Sequence, residues 1–337
     1  MSRAVSLATE LGPKIARAGW FSLAARRGMH SKGGFFLSPE FKEEVSKQID
    51  PVAEEFAQHR ALNHDLFAAL KEWSKTGFTP KQYETYRDNF FRRTQLTIPS
   101  IAATLASAAT YEDYKATKLA LRNLIDEVGQ EDDRAVHSQL MIKSHNIHGM
   151  RVFRLDPMAT MADVACSELL LREVEEYRKA KEDIFKRPYP YVAGNTWAHE
   201  LAADQMLDHF RQAFFDPYLG FYSEKEAEEV MRFFTVHKDE SHEGGDIEKQ
   251  HEKMAREAAE SACLASLAHV PQVREGGLIF LEHQAQLWDG LLLALERAKT
   301  VGEVVPPRPR EAKPNPRVQK VILQKVGDQE KDDSSRC

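Results

Sequence analysis

The stretch TVHKDESHEGGDIEKQHEK, Thr235 to Lys253, holds three histidines and many carboxylates. Imidazole and carboxylate together suit iron, manganese or zinc. Residues three or four apart share one face of a helix, so Glu248 and His251 can point at a common centre. His237 and His242 lie beyond Gly244 and Gly245, and neither is in register with that pair if the helix is continuous. A bulge, a kink or a short insertion is needed to bring one of them in, and glycines tolerate the backbone angles of a bulge. The competing reading of the same residues is a charged loop.

Two other places offer the same chemistry. In NLIDEVGQEDDRAVHSQL, Glu127 stands near the end of one expected helix and His137 in the next, with Gly129, Glu131, Asp132 and Asp133 making the turn. A carboxylate and an imidazole on adjacent helices can converge on one ion. Otherwise the segment is a helix end followed by an acidic loop that caps the next helix. In NTWAHELAADQMLDHF, Glu200 stands among Ala198, Leu201, Ala202 and Met206. Burying that carboxylate is costly unless it is paired or metal-bound. The alternative leaves it in solvent beside Asp204, four residues on along the same face.

The elements that would position these residues are helices. Ser38 is an expected N-cap followed by Pro39, and Val45, Ile49, Val52, Phe56 and Leu62 recur at helical spacing, with Pro51 expected to kink or restart the helix. Thr79 and Pro80 repeat the start signal. Further helices are expected over Tyr111–Val128, Asp133–Ser144, Met161–Ile184, Thr196–Phe215, Ser223–Glu240, Ile247–Leu267 and Gly276–Ala298. Hairpin signals, phosphate-binding glycine motifs and internal repeats are lacking. The fold class is all-α: one helical, bundle-like domain over residues 37–300.

The ends differ. Residues 1–36 are expected to be a disordered or targeting extension: up to Gly34 there are six Lys or Arg against Glu10 alone. That composition fits a mitochondrial presequence leading to the matrix, or an extension of a cytoplasmic protein. Residues 301–337, Pro-rich and then charged, are expected to be a solvated, disordered tail. The net charge of −6 gives no reason to expect a nucleic acid or an anionic membrane as partner. No run of about 20 apolar residues predicts a membrane span. Cys166, Cys263 and Cys337 form no CxxC, so reduced intracellular thiols are expected.

The order of these segments resembles the haem-oxygenase-like diiron oxidase superfamily, which shares its fold with the TenA thiaminases, PqqC and the chlamydial death-domain-associating protein. The resemblance runs from about Asn63 to Leu295, through HDLFAALKEW, LALRNLIDEVGQ…HSQL, HELAAD and GGLIFLEHQAQLWDGLLLAL. It implies metal ligands at Glu127 and His137, then Glu200, then Glu248 and His251 at the end of the last motif. The upstream histidine of that motif is His237 or His242, and seven residues, SHEGGDI, interrupt the spacing before Glu248. The resemblance further implies two ferrous ions, with manganese as a substitute, O2 and a small substrate as reactants, and an external electron donor. The substrate it implies is amino-acid- or fatty-acid-like. A homodimer is compatible with it. Two other readings stand beside this one: a metal-free TenA- or PqqC-like enzyme, and a non-catalytic helical interaction protein acting through its tails. A thiaminase needs a cysteine nucleophile, and Cys166 and Cys263 both sit in Ala/Ser-rich stretches where a buried, inert thiol is expected.

Overall fold

The Thr79 hydroxyl accepts the Gln82 amide N–H at 3.1 Å, and Gln82 Oε1 accepts the Thr79 amide N–H at 2.9 Å. This reciprocal cap, with Pro80 at the first helical position, starts a helix where the sequence predicts one. The computed structural model describes residues 38–310, apart from Glu131, Asp133, Arg134, Ala159, Met161 and residues 238–246, and describes Glu248 by its backbone alone. The expected extension over 1–36 and the tail beyond Arg310 lie outside the described residues.

The helices are α1 (Pro39–Ala57), α2 (Asp65–Thr76), α3 (Pro80–Thr94), α4 (Thr97–Thr110), α5 (Tyr114–Glu127), α6 (His137–His148), α7 (Arg172–Ile184), α8 (Tyr189–Phe210), α9 (Glu224–His237), α10 (Ile247–Leu264) and α11 (Val270–Ala298). Two units are distinguished, Met1–Glu43 and Glu44–Cys337. In the first, the Ser38 hydroxyl accepts the Phe41 N–H at 3.2 Å. The second is an all-α bundle. Among the described residues no strand forms, and Phe78 and Val305 make an isolated antiparallel bridge. No described helix is long and apolar enough to cross a membrane.

Helix α8 is the axis of the bundle. It is buried on every face from Val192 to Glu200, and α10 and α11 pack along it. The crossing with α11 is backbone against backbone. A Cβ on Gly194 would lie 1.9 Å from the Val273 carbonyl oxygen, and one on Gly276 would lie 2.1 Å from that of Tyr191. Only glycine permits such an approach. Helix α5 packs on α10 and α4, and α6 packs on α9. The ends of α5, α6 and α9 and the middle of α8 thus meet.

Several boundaries differ from those expected. Pro51 neither ends nor restarts α1; it lies on the exposed face, where water can serve the carbonyl that lacks an amide donor. The apolar pattern that joins α1 to the following stretch breaks at Ala57, and α2 restarts after His64, whose Nδ1 accepts the Leu66 N–H at 3.1 Å. Helix α4 is additional. Helix α7 starts at Arg172 rather than Met161, because α3 side chains satisfy the preceding backbone. Asn89 donates to the Leu169 carbonyl at 2.9 Å and accepts the Leu171 N–H at 2.9 Å, which holds that segment extended. Helix α8 starts earlier than Thr196, and its expected last residues form a π-helix, Arg211–Phe215. Cys166 is exposed in a short 3-10 turn rather than buried in a helix. Finally, residues 301–310, expected in the solvated tail, are tied down. Val305 N–H donates to the Phe78 carbonyl at 2.9 Å and Arg308 N–H to that of Pro217 at 2.8 Å. Prolines suit this strap, since an extended chain with alternate donors needs no helical bonds.

Candidate metal centre

Helix α5 ends at Glu127, and Gly129 turns the chain with φ +85°, where a Cβ would sit 2.6 Å from the Asp132 carbonyl oxygen. The turn returns His137, the first residue of α6, to Glu127, with Nδ1 3.2 Å from Oε1. His237 is the last residue of α9. Its Nδ1 bonds to the Phe233 carbonyl one turn back. A carbonyl only accepts, so Nδ1 carries the proton and Nε2 presents its lone pair. The His137 and His237 rings lie 4.4 Å apart between centroids. One donor atom from each of Glu127, His137 and His237 falls within 4.8 Å of the others. His137 and His237 are buried and Glu127 nearly so.

Glu200 enters from α8 and is 4% exposed. Its Oε1 accepts Asn123 Nδ2 at 3.1 Å, and Asn123 stands one turn before Glu127 on the same face of α5. Burial pushes the Glu200 carboxyl above the usual carboxylate range; nearby His251 opposes this and Glu127 adds to it. Burial alone would also raise Glu127, but the charge and hydrogen bond of His137 outweigh it and hold it at about 2. Burial, with His137 next in effect, brings His237 down to about 3, so the imidazole is neutral. His251, on α10 and 1% exposed, places Nε2 3.4 Å from Asp126 Oδ2.

Glu127, His137 and His237 therefore converge, with Glu200 and His251 electrostatically coupled to them. His242 lies outside the described residues, as does the side chain of Glu248. Sequence reasoning missed Asp126, Asn123, Arg93 and His199. The place of Asn123, four residues before Glu127, was the available signal for one of them.

This donor set suits a divalent metal. Neutral imidazole and carboxylate are ligands of iron and manganese, and two adjacent buried carboxylates leave negative charge that a cation would balance. Ligand atoms about 2.1 Å from one ion lie no more than ~4.2 Å apart. A spread within 4.8 Å closes by side-chain adjustment of well under an ångström. The set opens on a cavity of about 300 Å³, whose wall includes Glu127, His137, Glu200 and His237. Phe90, Met141, Met206 and Phe233 make much of the rest apolar. Neither Cys166 nor Cys263 belongs to that wall, and burial pushes the Cys263 thiol up to about 12, away from nucleophilic reactivity.

Comparison with solved structures finds the same architecture. A CADD-like protein of unknown function from Nostoc punctiforme superposes with a TM-score of 0.57 at 12% identity, over 77% of this chain and 100% of that one. A TenA homologue from Pseudomonas syringae gives 0.52 at 12% identity, over 78% and 98%. The fold is haem-oxygenase-like. At this identity the likeness concerns the fold alone. No family model matches the chain, and no curated protein matches it.

Proposed function

We propose that the protein is a metal-dependent oxidase or oxygenase that uses O2 to oxidise a small molecule at a carboxylate–histidine site for two iron ions. The observation that supports this most is the convergence of Glu127, His137 and His237 at the wall of a largely apolar cavity. Iron held there would supply the one-electron chemistry by which O2 reacts with a closed-shell substrate. Glu127, His137 and His237 would hold one position; Glu200 and His251, with Glu248 as the expected further ligand, would hold the other.

The protein's own contribution is orientation and exclusion of water. The Phe233 carbonyl fixes the tautomer and plane of His237. Asn123 fixes the Glu200 carboxylate by occupying one oxygen, which leaves the other to turn toward the cavity. Phe90, Phe233, Met141 and Met206 keep the cavity apolar, so the charge of Glu127 and Glu200 acts in a low dielectric. Asp126, partnered with His251, sits behind the second position as the group that would orient its imidazole. Electrons would come from an external donor.

Oxygen uptake tests the reading. Full-length protein loaded anaerobically with ferrous iron, freed of excess metal and then exposed to O2, is expected to consume O2 in proportion to its bound iron, faster than the same concentration of free ferrous ion. Bound iron that reacts no faster than free ferrous ion would argue against an oxidase.

A further inference from the structure

The cavity that the metal cluster lines also holds an arginine that, among the described residues, has no carboxylate partner. Arg93 on α3 is 2% exposed and forms part of the cavity wall. Its Nε donates to Gln284 Oε1 at 2.9 Å, while Nη2 is buried without a hydrogen-bond partner. Among the described residues no carboxylate comes within ion-pair distance of it; Glu200 acts on it only from farther away. Its neighbour Arg92 behaves oppositely and pairs with Glu175 at the surface. The Arg93 guanidinium lies 5.5 Å from the centre of the Tyr177 ring and 5.9 Å from that of Trp288. Aromatic rings accept no strong hydrogen bond, so they leave the unused N–H donors of the guanidinium unsatisfied. Around it are other buried polar atoms without partners: Gln284 Nε2, the Tyr177 hydroxyl, and His199 Nδ1 on the cavity wall. Lys181 is also buried nearby, 5.7 Å from the Tyr177 ring centre.

A buried guanidinium with unused donors costs several kcal/mol unless something accepts from it. Arg stays charged under all ordinary conditions, and its planar edge matches a carboxylate. We propose that Arg93 anchors the carboxylate of a small monocarboxylic acid whose apolar body lies in the cavity, against Phe90, Met206 and Phe233, and reaches toward Glu127, His137 and His237. Among the described residues Arg93 is the one cationic side chain on the wall, and Glu127 and Glu200 are on it too, so a single carboxylate suits it better than a polyanion. Anchoring at Arg93 stands on the guanidinium alone; the statement that the far end is the one oxidised rests on the metal-oxidase reading.

Metal-free protein separates the two, since no carboxylate can then ligate iron. Binding of octanoate and of phenylacetate is measured by calorimetry, against 1-octanol and 2-phenylethanol, on the full-length wild type and on Arg93→Gln. Wild type is expected to bind at least one of the acids, at least ten-fold more tightly than its alcohol. Arg93→Gln is expected to lose that preference, with acid affinity falling by ~10- to 100-fold, the range for a charge-assisted hydrogen-bond pair. Arg93→Lys, which keeps the charge but not the planar edge, should fall between. No acid binding, or wild-type binding without preference for the acid, overturns the anchor, and this holds whether or not Arg93→Gln folds. An unchanged preference in folded Arg93→Gln overturns it too and leaves Arg93 as a distant countercharge to Glu200. Iron loading is read separately: iron without acid binding sinks the anchor alone, and acid binding without iron sinks the metal reading alone.

Discussion

His237→Ala is expected to lose about half of the iron that the wild-type protein takes up, the share of the position that it helps to hold. His237 supplies one of three converging donors, and its Nε2 is aimed by the Nδ1 bond to the Phe233 carbonyl. Removing an outer partner of a ligand typically weakens metal binding by ~10- to 100-fold; removing the ligand itself should exceed ~100-fold. His137→Ala should match it, because the two imidazoles stand side by side at 4.4 Å. His251→Ala removes a residue of the other position and is expected to bring iron to about half. His209, which stacks on Phe67 outside the cavity wall, is the control for adventitious histidine binding, and His209→Ala should keep wild-type iron. Iron is measured after anaerobic loading and desalting, with urea denaturation confirming that each variant is folded. A folded His237→Ala that retains full iron would place the metal elsewhere.

Stability is expected to fall steeply as the metal-free protein is acidified from pH 6.5 to 5. The cause is a set of histidines that fold neutral. His145 is fully buried, donates from Nδ1 to the Met141 carbonyl at 3.0 Å and accepts the Tyr86 hydroxyl at Nε2 at 3.3 Å; burial brings it down to about 3. His148 and His199 are buried as well, and burial pushes both well below the ordinary histidine range. Each has its folded pKa below the unfolded ~6.5. Between those values the unfolded chain binds more protons, so stability rises with pH. The contribution is present above ~6.5 and is lost as pH falls toward the folded values. Each histidine loses up to ~1.4 kcal/mol per pH unit, hence ~2 kcal/mol by pH 5. Glu200, whose folded carboxyl is raised, acts in the opposite sense and offsets a part. Urea midpoints across this range are the measurement, and a midpoint that does not change between pH 7 and 5 would mean these histidines accept protons in the folded state.

Local signals were the legible part of the fold. Thr79, Pro80 and Gln82 cap α3 through contacts within four residues, which a sequence displays directly. The helical period likewise announced most of the bundle. The unwound approach to α7 was not legible, because Asn89 imposes it from some eighty positions away. Nor was the strap over 301–310, whose partners Phe78 and Pro217 are remote in sequence. At the site, residue types and the family resemblance pointed to Glu127, His137 and Glu200 and left His237 and His242 as alternatives; the structure brings Glu127, His137, Glu200 and His237 to one cavity. Arg93 was hidden by its neighbour. In FFRRTQL two adjacent arginines look alike, and only the packing of α3 sends one to Glu175 at the surface and the other inward. Asp126 was hidden in the same way beside Glu127, since their opposite roles depend on where α10 presents His251.

The proposed iron site joins the Glu127, His137 and His237 cluster to a second position at Glu200 and His251. Anaerobic titration of the full-length wild-type protein with ferrous iron, read by bound metal after gel filtration, tests it most directly. Saturation near two equivalents per chain is the expected result. Absence of retained iron, with manganese retained no better, would contradict it.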